Sequence, residues 1–549
     1  MPEEPEAPED AQDAAEQEEQ AAALSYGEPF DSGFALAEHH QHTPDIPAAL
    51  AVYGELLAVA ESFEDSPDVR LLRGHLWSNI GTVQLAATDL PGAGVSIGQS
   101  LDLVRGIASE PMGPNGRQVW LEVLLKTLMA RVELLRRTGQ FDEAQEAMDE
   151  ATGLLSEFDD PEGLRTAEIG LSRVHLLMDR GAWGAAEELA SALLADAPST
   201  EPYLLDCLGV VCASTVRFEQ AEDYFARAEE AHLALGHQAG RQQVLSHRAY
   251  AALRAGDFDR AEELYTQAAE IFERQGQAED LAVCEQARAA IAAHRGDAAG
   301  AAALTASSLA RFQQVGAAIA AADTMLLGAR HAYERGDIDE MKRLAQGARD
   351  VYQERGVYER CAQVDLMLAR ALEDNLNRTD HGVHERTSLA TALSLALPAA
   401  LALEAARYEF ATAHARSQWL QLADEAMQLV FRLALRGNDQ GLIFELVEHR
   451  CAGASLALSR TSTTGKAAAV FPDAAMKTYA PDDGAPLTLG GIAAEAAASV
   501  GLRVAPPPRI VMSAAGGRTA LQEYVQAAEF RYHRRIVSEE EVPFCPPTI

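Results

Sequence analysis

Residues 254–276 read RAGDFDRAEELYTQAAEIFERQG, and the same layout returns as HRGDAAGAAALTASSLARFQQVG (294–316) and ERGDIDEMKRLAQGARDVYQERG (334–356). Each copy has Gly-Asp near its start and a glycine at its end. Glycine adopts the left-handed conformation after a helix at no steric cost, and aspartate is a preferred N-cap. Each copy therefore predicts a helix that ends at the first glycine and a second helix that runs from the aspartate to the last glycine.

Two ladders of glycine run through this region at a constant step of 40 residues, one at Gly236, Gly276, Gly316 and Gly356, the other at Gly256, Gly296 and Gly336. A period of this length is typical of stacked supersecondary units. Other columns keep the step. Small residues of the first helix fall at Gly209, Ala249, Ala289, Ala329 and Ala369, and rings of the second helix fall at His232, Phe272, Phe312 and Tyr352.

The same order of residues extends upstream with looser spacing, at Gly139 and Gly181, while Val216 occupies the glycine position of the next unit. A small residue, a Gly-x-aromatic turn and then alanine with an aromatic resemble the tetratricopeptide repeat (TPR), here lengthened to about 40 residues. The sequence therefore predicts an all-α protein built as a TPR-like right-handed solenoid of antiparallel helix pairs.

Composition suggests six segments along the 549 residues. Helical patterning is clear from about Pro47, and a Gly/Pro-rich stretch at 88–98 reads as a break. Pro398 is expected to separate two helices. The predicted segments are a disordered acidic tail (1–23), irregular helical hairpins (24–114), the regular array (115–375), further helical repeats (376–458), a Gly/Ala/Pro-rich linker (459–508) and a short C-terminal segment with one helix (509–549).

The chain is strongly acidic, with a formal net charge of −38. Nucleic-acid binding needs a basic surface that neutralises phosphates, so nucleic acid is not expected as a partner, and neither is an anionic membrane. We find no apolar run close to the ~18 residues of a membrane span and no pattern of a secretory signal. The expected location is therefore the cytoplasm, with the six scattered cysteines as buried thiols and no cofactor.

Four short polar clusters contain residue types that can bind a metal or take part in catalysis. The histidines of EHHQHTPD (38–45) are expected in a solvated turn, and HGVHE (381–385) lacks the H-E-x-x-H order of a zinc helix. VEHRC (447–451) places its polar residues at consecutive helix positions, which point in different directions. TSTTGK (461–466) lacks the first glycine of a phosphate-binding loop. The sequence therefore predicts no catalytic and no metal-binding residues.

The first helices of TPR-like arrays line one face, and counting from the turn glycines predicts which residues point to it. Tyrosine offers a rigid contact surface and arginine offers forked hydrogen bonds to carboxylates. This face is therefore the predicted ligand groove, suited to an acidic protein or peptide segment. Its predicted residues are Tyr203, Ser246, Tyr250, Arg254, Gln286, His294, Arg330, Tyr333 and Arg370.

Together with the array, the phrases LPAALALEAARYEF (397–410), FELVEHRCAGASLAL (444–458) and PPPRIVMSAAGGRTALQEYVQAAEFRY (506–532) resemble actinobacterial TPR proteins, including the repeat half of the CHAT (caspase-like) family. That family carries a peptidase domain with a catalytic His-Gly pair and a cysteine nucleophile. Only some 90 residues follow Ser459 here, without such a domain. The resemblance thus implies a relative that lacks the peptidase.

The sequence favours a non-catalytic scaffold that binds protein or peptide and acts as a regulatory adaptor or sensor. One alternative is a peptide-sensing regulator of transcription or signalling, against which the absent DNA-binding helix-turn-helix and the acidic charge count. A second is a regulatory subunit that lost, or works with, a CHAT-type protease, and a third is an enzyme with a site in residues 459–549 or in the groove. The partner and the oligomeric state are left open.

Overall fold

The protein is almost entirely helical and divides into two compact units. Unit 1 comprises Met1–Leu134 and Gly153–Asp159, and unit 2 comprises Leu135–Thr152 and Asp160–Ile549. The computed structural model describes residues 25–42, 45–110, 114–161, 163–196, 200–378, 385–409, 413–454, 458–460, 502–504, 506–512 and 518–543. The predicted acidic tail and most of the predicted linker lie outside these residues, as do the HGVH and TSTTGK clusters.

Unit 1 begins with a helix that the pattern missed, α1, which places the EHHQH histidines in its last turns rather than in a loop. The predicted break at 88–98 is shorter than expected, because one helix ends at Ala86 and the next, α4, begins at Leu90 and continues past Gly98. Pro91 lies in the first turn of α4, where a missing N–H costs nothing, and Asp89 caps that turn by accepting from the Gly92 N–H at 3.0 Å. The helices that begin in unit 1 are α1 (Phe30–His42), α2 (Ile46–Glu61), α3 (Pro67–Ala86), α4 (Leu90–Gly106) and α5 (Pro114–Thr138), and α5 ends in unit 2.

Unit 2 continues as successive antiparallel helix pairs, in which each second helix also packs on the first helix of the next pair. Its helices are α6 (Phe141–Leu154), α7 (Leu164–Asp179), α8 (Trp183–Asp196), α9 (Glu201–Ser214), α10 (Phe218–Ala234), α11 (Gln238–Ala255), α12 (Phe258–Gln275), α13 (Ala278–His294), α14 (Ala298–Val315), α15 (Ala318–Glu334), α16 (Ile338–Glu354), α17 (Tyr358–Arg378), α18 (Glu385–Ala405), α19 (Ala413–Arg436), α20 (Gln440–Ala454) and α21 (Gln522–Tyr532).

The turns of the regular array confirm the capping pattern. All seven ladder glycines have φ between 70° and 82°, and Val216 takes the same left-handed conformation with φ of 67°. Asp257, Asp297 and Asp337 each accept a hydrogen bond from the backbone N–H three residues on, an interaction that stabilises a helix by about 1 kcal/mol. The TPR-like fold predicted from the repeat is therefore confirmed.

The columns of small and aromatic residues explain how the pairs pack. A Cβ at Gly209 would lie 2.4 Å from the Phe225 ring of the partner helix, so only glycine fits between α9 and α10. The alanines at the same position of later pairs are 0% exposed. Their small side chains let each second-helix ring enter the core, and His232, Phe272, Phe312 and Tyr352 are all buried.

Helix α18 departs from the prediction, because Pro398 lies inside it and does not divide it. Proline cannot donate to the carbonyl four residues earlier, and that carbonyl, on Ser394, instead accepts from Arg531 Nη1 at 2.8 Å. Among the described residues, Glu385–Tyr408 is long and apolar enough to cross a membrane, contrary to the expectation from the sequence. Buried core helices pass the same test, and 67% of its apolar window is buried.

The C-terminal segment folds back onto unit 2. Its helix α21 packs on α17 and α18. Tyr532 donates to buried Asp365 at 2.7 Å, and the Leu521 N–H donates to Glu445 at 2.7 Å. Two short ladders accompany it, antiparallel β1 (Leu458–Arg460) with β2 (Leu502–Val504) and parallel β3 (Arg509–Val511) with β4 (Glu541–Pro543). Through these polar contacts the C-terminal segment covers the apolar end of the last helix pairs.

The cysteines follow the prediction with one exception. Cys207, Cys212, Cys284 and Cys361 are buried free thiols, whereas Cys451 is exposed. Burial raises the pKa of Cys212 to about 12, so its thiol stays protonated and unreactive at neutral pH. Cys545 lies outside the described residues.

Candidate binding site on the first helices

The first helices α9, α11, α13, α15 and α17 pack side by side in unit 2, and each contacts the next. Their buried small column recurs every 40 residues, so the positions one residue and five residues further along each helix also recur on the same side. Positions 250, 330 and 370 fall in one such column, and positions 254 and 294 fall in a second column one turn away. We call this side the first-helix face.

Five of the predicted groove residues contact a neighbouring repeat. Tyr250 Oη lies 3.2 Å from Ser214 Oγ, and Arg254 Nη2 donates to the Ser214 carbonyl at 3.4 Å. Gln286 donates to Thr324 Oγ1 at 2.8 Å, Tyr333 donates to Asp374, and Arg370 donates to Glu425 at 3.2 Å. These side chains therefore link successive repeats as well as lining the face.

The other four predicted residues have different surroundings. Tyr203 lies edge-on to the His232 ring, with centroids 4.9 Å apart, and His294 stacks on Phe258 with centroids 3.7 Å apart. Ser246 is half-buried. Arg254, His294, Arg330 and Arg370 are exposed. The structure thus leaves a row of cationic or ring-bearing groups accessible along four consecutive first helices.

A histidine between carboxylates lies on the same helices and was not predicted. His247 Nδ1 lies 2.9 Å from both carboxylate oxygens of Asp206, one repeat earlier. Burial lowers the pKa of His247, but the charge and hydrogen bond of Asp206, together with the charge of Asp280, leave it raised. The two carboxylates therefore shift the equilibrium of this imidazole toward its protonated form.

Burial has the opposite effect on Asp280, one repeat later, because it raises the pKa of a carboxyl group. Burial and the neighbouring Glu279 carboxylate raise its pKa to about 6, against the opposing charges of Arg137 and His247. Arg137 itself forms an ion pair with Glu279 across 142 residues of sequence. Such pairing follows only from the three-dimensional path of the repeats, and no spacing in the sequence signals it.

The raised pKa of Asp280 predicts a pH-dependent stability. The folded protein favours the neutral carboxyl, so the charged form is destabilising above about pH 6, and the effect vanishes below the unfolded pKa near 4. Asp280→Asn should raise the free energy of unfolding at pH 8 by about 1–2 kcal/mol, a value reduced for the solvent that reaches the side chain. Urea titrations at pH 8, 6 and 4 measure this, and an equal effect at all three would contradict it.

The remaining polar clusters form no catalytic arrangement in the described residues. Within VEHRC, His449 is buried and Cys451 is exposed, so the two side chains point in different directions. Across the residues the structure describes, no group of three or more His, Cys, Asp or Glu side chains is placed to hold a metal ion.

Comparison with known proteins finds similarity at the level of structure only. No protein-family model matches the sequence, and no curated protein matches it either. Solved structures that are similar include NprR in complex with its cognate peptide NprX (TM-score 0.42, 13% identity, 63% of this chain and 97% of that chain). A Rap protein complexed with Competence and Sporulation Factor has a TM-score of 0.40, with 15% identity over 59% and 93%.

A tetratricopeptide repeat protein from Parabacteroides merdae ATCC 43184 is also similar, with a TM-score of 0.31 and 16% identity over 52% of this chain and 95% of that chain. All three share helical repeats with this chain. Likeness at this level gives no information about what this chain binds.

Proposed function

We propose that unit 2 is a regulatory scaffold, an adaptor or sensor, that binds an acidic segment of protein or peptide on the first-helix face and catalyses no reaction itself. The observation that supports this is the row of exposed Arg254, His294, Arg330 and Arg370 in a chain of net charge −38. Arginine forks bind carboxylates with defined geometry, and the edges of half-buried tyrosines and of the exposed His294 add contact area at small entropic cost.

The contacts already made by these residues do not prevent binding. Arg370 and its partner Glu425 are 48% and 76% exposed in their side chains, and exposed ion pairs of this kind contribute only about 0–1 kcal/mol. Arg254 reaches the Ser214 carbonyl with one nitrogen at the long distance of 3.4 Å. An incoming carboxylate would replace such contacts with little loss.

The proposal predicts that the triple variant Arg254/Arg330/Arg370→Ala binds its partner at least about tenfold more weakly, since each lost carboxylate contact is worth about 1 kcal/mol or more. The partner is first captured from the source cell with the wild-type chain, and its affinity for each purified variant is then measured by titration. The matched control, Arg227/Arg260/Arg343→Ala, removes the same charge from exposed positions on the second helices α10, α12 and α16.

Equal affinity of the two triple variants would refute the first-helix face as the site. Weakening in the first variant alone, with unchanged thermal stability, would support it. A steeper salt dependence for the wild type than for the first variant should accompany that result, because screened charge pairs are lost with the arginines.

We also propose a narrower relationship, to the repeat half of CHAT proteins, with the scaffold acting as a regulatory partner of a separate peptidase. Its support is the similarity of residues 397–410, 444–458 and 506–532 noted above. A peptidase of that class that is captured by the wild type and lost by the first triple variant would favour this role. A captured transcription regulator or short signalling peptide would favour the sensor instead.

A further inference from the structure

A separate cavity of about 290 Å³ lies in unit 2, where the end of α21 meets α17, α18 and the turn between α7 and α8. Four stretches that are far apart in sequence form it: the turn at Arg180, the region from Gly356 to Ala362, the residues Ala402 and Leu403, and the segment from Tyr532 to Arg535. The volume is near the lower end of small-ligand pockets and would hold a group of one or two amino-acid residues.

The lining of this cavity is strongly basic. Arg180, His533, Arg534 and Arg535 line it, and Glu359 is the one acidic side chain among the described lining residues. The chain as a whole has 83 acidic and 45 basic residues. By the same count, a cavity wall with three arginines and one carboxylate has the charge opposite to that of the rest of the protein.

The segment at the cavity wall is held in an uncommon conformation. His533 has a φ of 48°, in the left-handed region that costs a non-glycine residue about 1 kcal/mol or more. Its ring stacks on Tyr358, with centroids 4.3 Å apart and planes inclined by 21°. Arg534 donates to the Ala402 carbonyl at 3.3 Å. These contacts fix the turn and direct three consecutive basic residues to one wall.

The two arginines at the sides of the cavity each donate to a backbone carbonyl and pair with an exposed acid, and Arg535 Nε donates to the Val537 carbonyl at 3.1 Å. Arg180 Nη2 donates to the Phe141 carbonyl at 2.7 Å and to Asp142 at 2.8 Å, and Asp142 is 85% exposed. Arg535 lies 3.3 Å from Glu539, which is 89% exposed. Ion pairs with such exposed carboxylates are weak. A ligand carboxylate inside the cavity would compete for both guanidinium groups at a less hydrated place.

We propose that this cavity is a binding site for a carboxylate ligand of one to two residues in size. The carboxylate would lie between Arg180 and Arg535, because two guanidinium forks favour a planar two-oxygen anion. The Tyr358–His533 stack would pack against the carbon atoms next to it. The carboxylate is supplied either by the C-terminus of a peptide or by an acidic side chain, and both sources share this chemistry.

Calorimetric titration at low salt tests the site with three probes: N-acetyl-Ala-Ala with a free C-terminus, N-acetyl-Ala-Glu amide, and inorganic phosphate. We expect at least one carboxylate probe to bind, with the stronger of the two identifying the source, and phosphate to bind at least tenfold more weakly. Arg535→Gln, at a side chain that is 54% exposed, should weaken binding of the carboxylate at least tenfold, whereas Arg343→Gln on α16 should not change it.

The variant Glu359→Gln distinguishes an effect on ligand binding from a folding defect. Removing the one lining carboxylate should tighten binding several-fold, and an unfolded variant does not bind more tightly. Phosphate preferred over both carboxylates, absence of binding by either carboxylate, or equal affinity in Arg535→Gln and Arg343→Gln would each overturn the proposal. The triple variant Arg254/Arg330/Arg370→Ala leaves this cavity unchanged, so its outcome is separate from that of the proposed function.

Discussion

Asp365→Ala is expected to lower the free energy of unfolding of unit 2 by about 3–5 kcal/mol, the range for breaking a buried ion pair from one side. Asp365 is 1% exposed. It accepts from Arg349 Nε at 2.8 Å and Nη2 at 3.2 Å, and from Tyr532 Oη at 2.7 Å. Its removal leaves the Arg349 guanidinium half-enclosed without its carboxylate and takes away the polar anchor of α21. Denaturant titration measures the loss.

Hydrogen exchange shows where that loss falls. Residues 518–543 should lose protection first in Asp365→Ala, since α21 packs on α17 through this contact. The matched variant Tyr532→Phe removes one hydrogen bond and keeps the ion pair, so it should cost only about 1–2 kcal/mol. If the two variants cost the same, the ion pair with Arg349 contributes nothing, and the loss in both comes from the hydrogen bond between Tyr532 and Asp365.

The regular array could be predicted in detail because its signals are local. A glycine with positive φ ends each helix, and an aspartate three residues before the N–H it accepts from begins the next, so a few adjacent residues determine each turn. Val216 shows that the repeat imposes the left-handed backbone conformation at this turn even without glycine. It occupies the glycine position and adopts φ of 67°, because the surrounding pairs fix the backbone there.

Predictions from local sequence were wrong where a residue distant in sequence supplies the hydrogen-bond partner. Pro398 was expected to divide a helix, but the carbonyl of Ser394 that it leaves unpaired accepts from Arg531, 137 residues away. The same limit applies to the apolar length of α18, which is buried against neighbours that the sequence does not reveal. A hydrophobic pattern describes the residues of one helix, whereas these outcomes depend on which distant segments pack against that helix.

The same distinction between local and distant signals applies to the candidate site. The helix on which each groove residue lies followed from the repeat count, and the role of those residues stays a prediction. Their neighbours did not follow from it: the cluster of His247, Asp206 and Asp280 and the pair of Arg137 with Glu279 join separate repeats. The basic cavity needs the C-terminal segment to reach α17, which no periodicity indicates.

Phe312→Ala should also lower the free energy of unfolding by about 3–5 kcal/mol, the usual cost of truncating a buried phenylalanine. Phe312 is fully buried in α14, in a cluster with Ala282 of α13 and Ala321 of α15. Each of these neighbours is an alanine, too small to fill the space that the ring leaves. The lost burial and the remaining cavity therefore add, and equilibrium unfolding in urea measures their sum.

The location of the damage distinguishes a repeat-wise solenoid from a single cooperative unit. In stacked repeats, stability is approximately a sum of repeat and nearest-neighbour terms, so hydrogen exchange should rise first in α13–α15 of Phe312→Ala. The matched variant Phe225→Ala truncates an equally buried ring in α10 and should loosen α9–α11 instead. Identical exchange maps for the two variants would mean that contacts such as Arg137 with Glu279 couple the repeats into one unit that unfolds together.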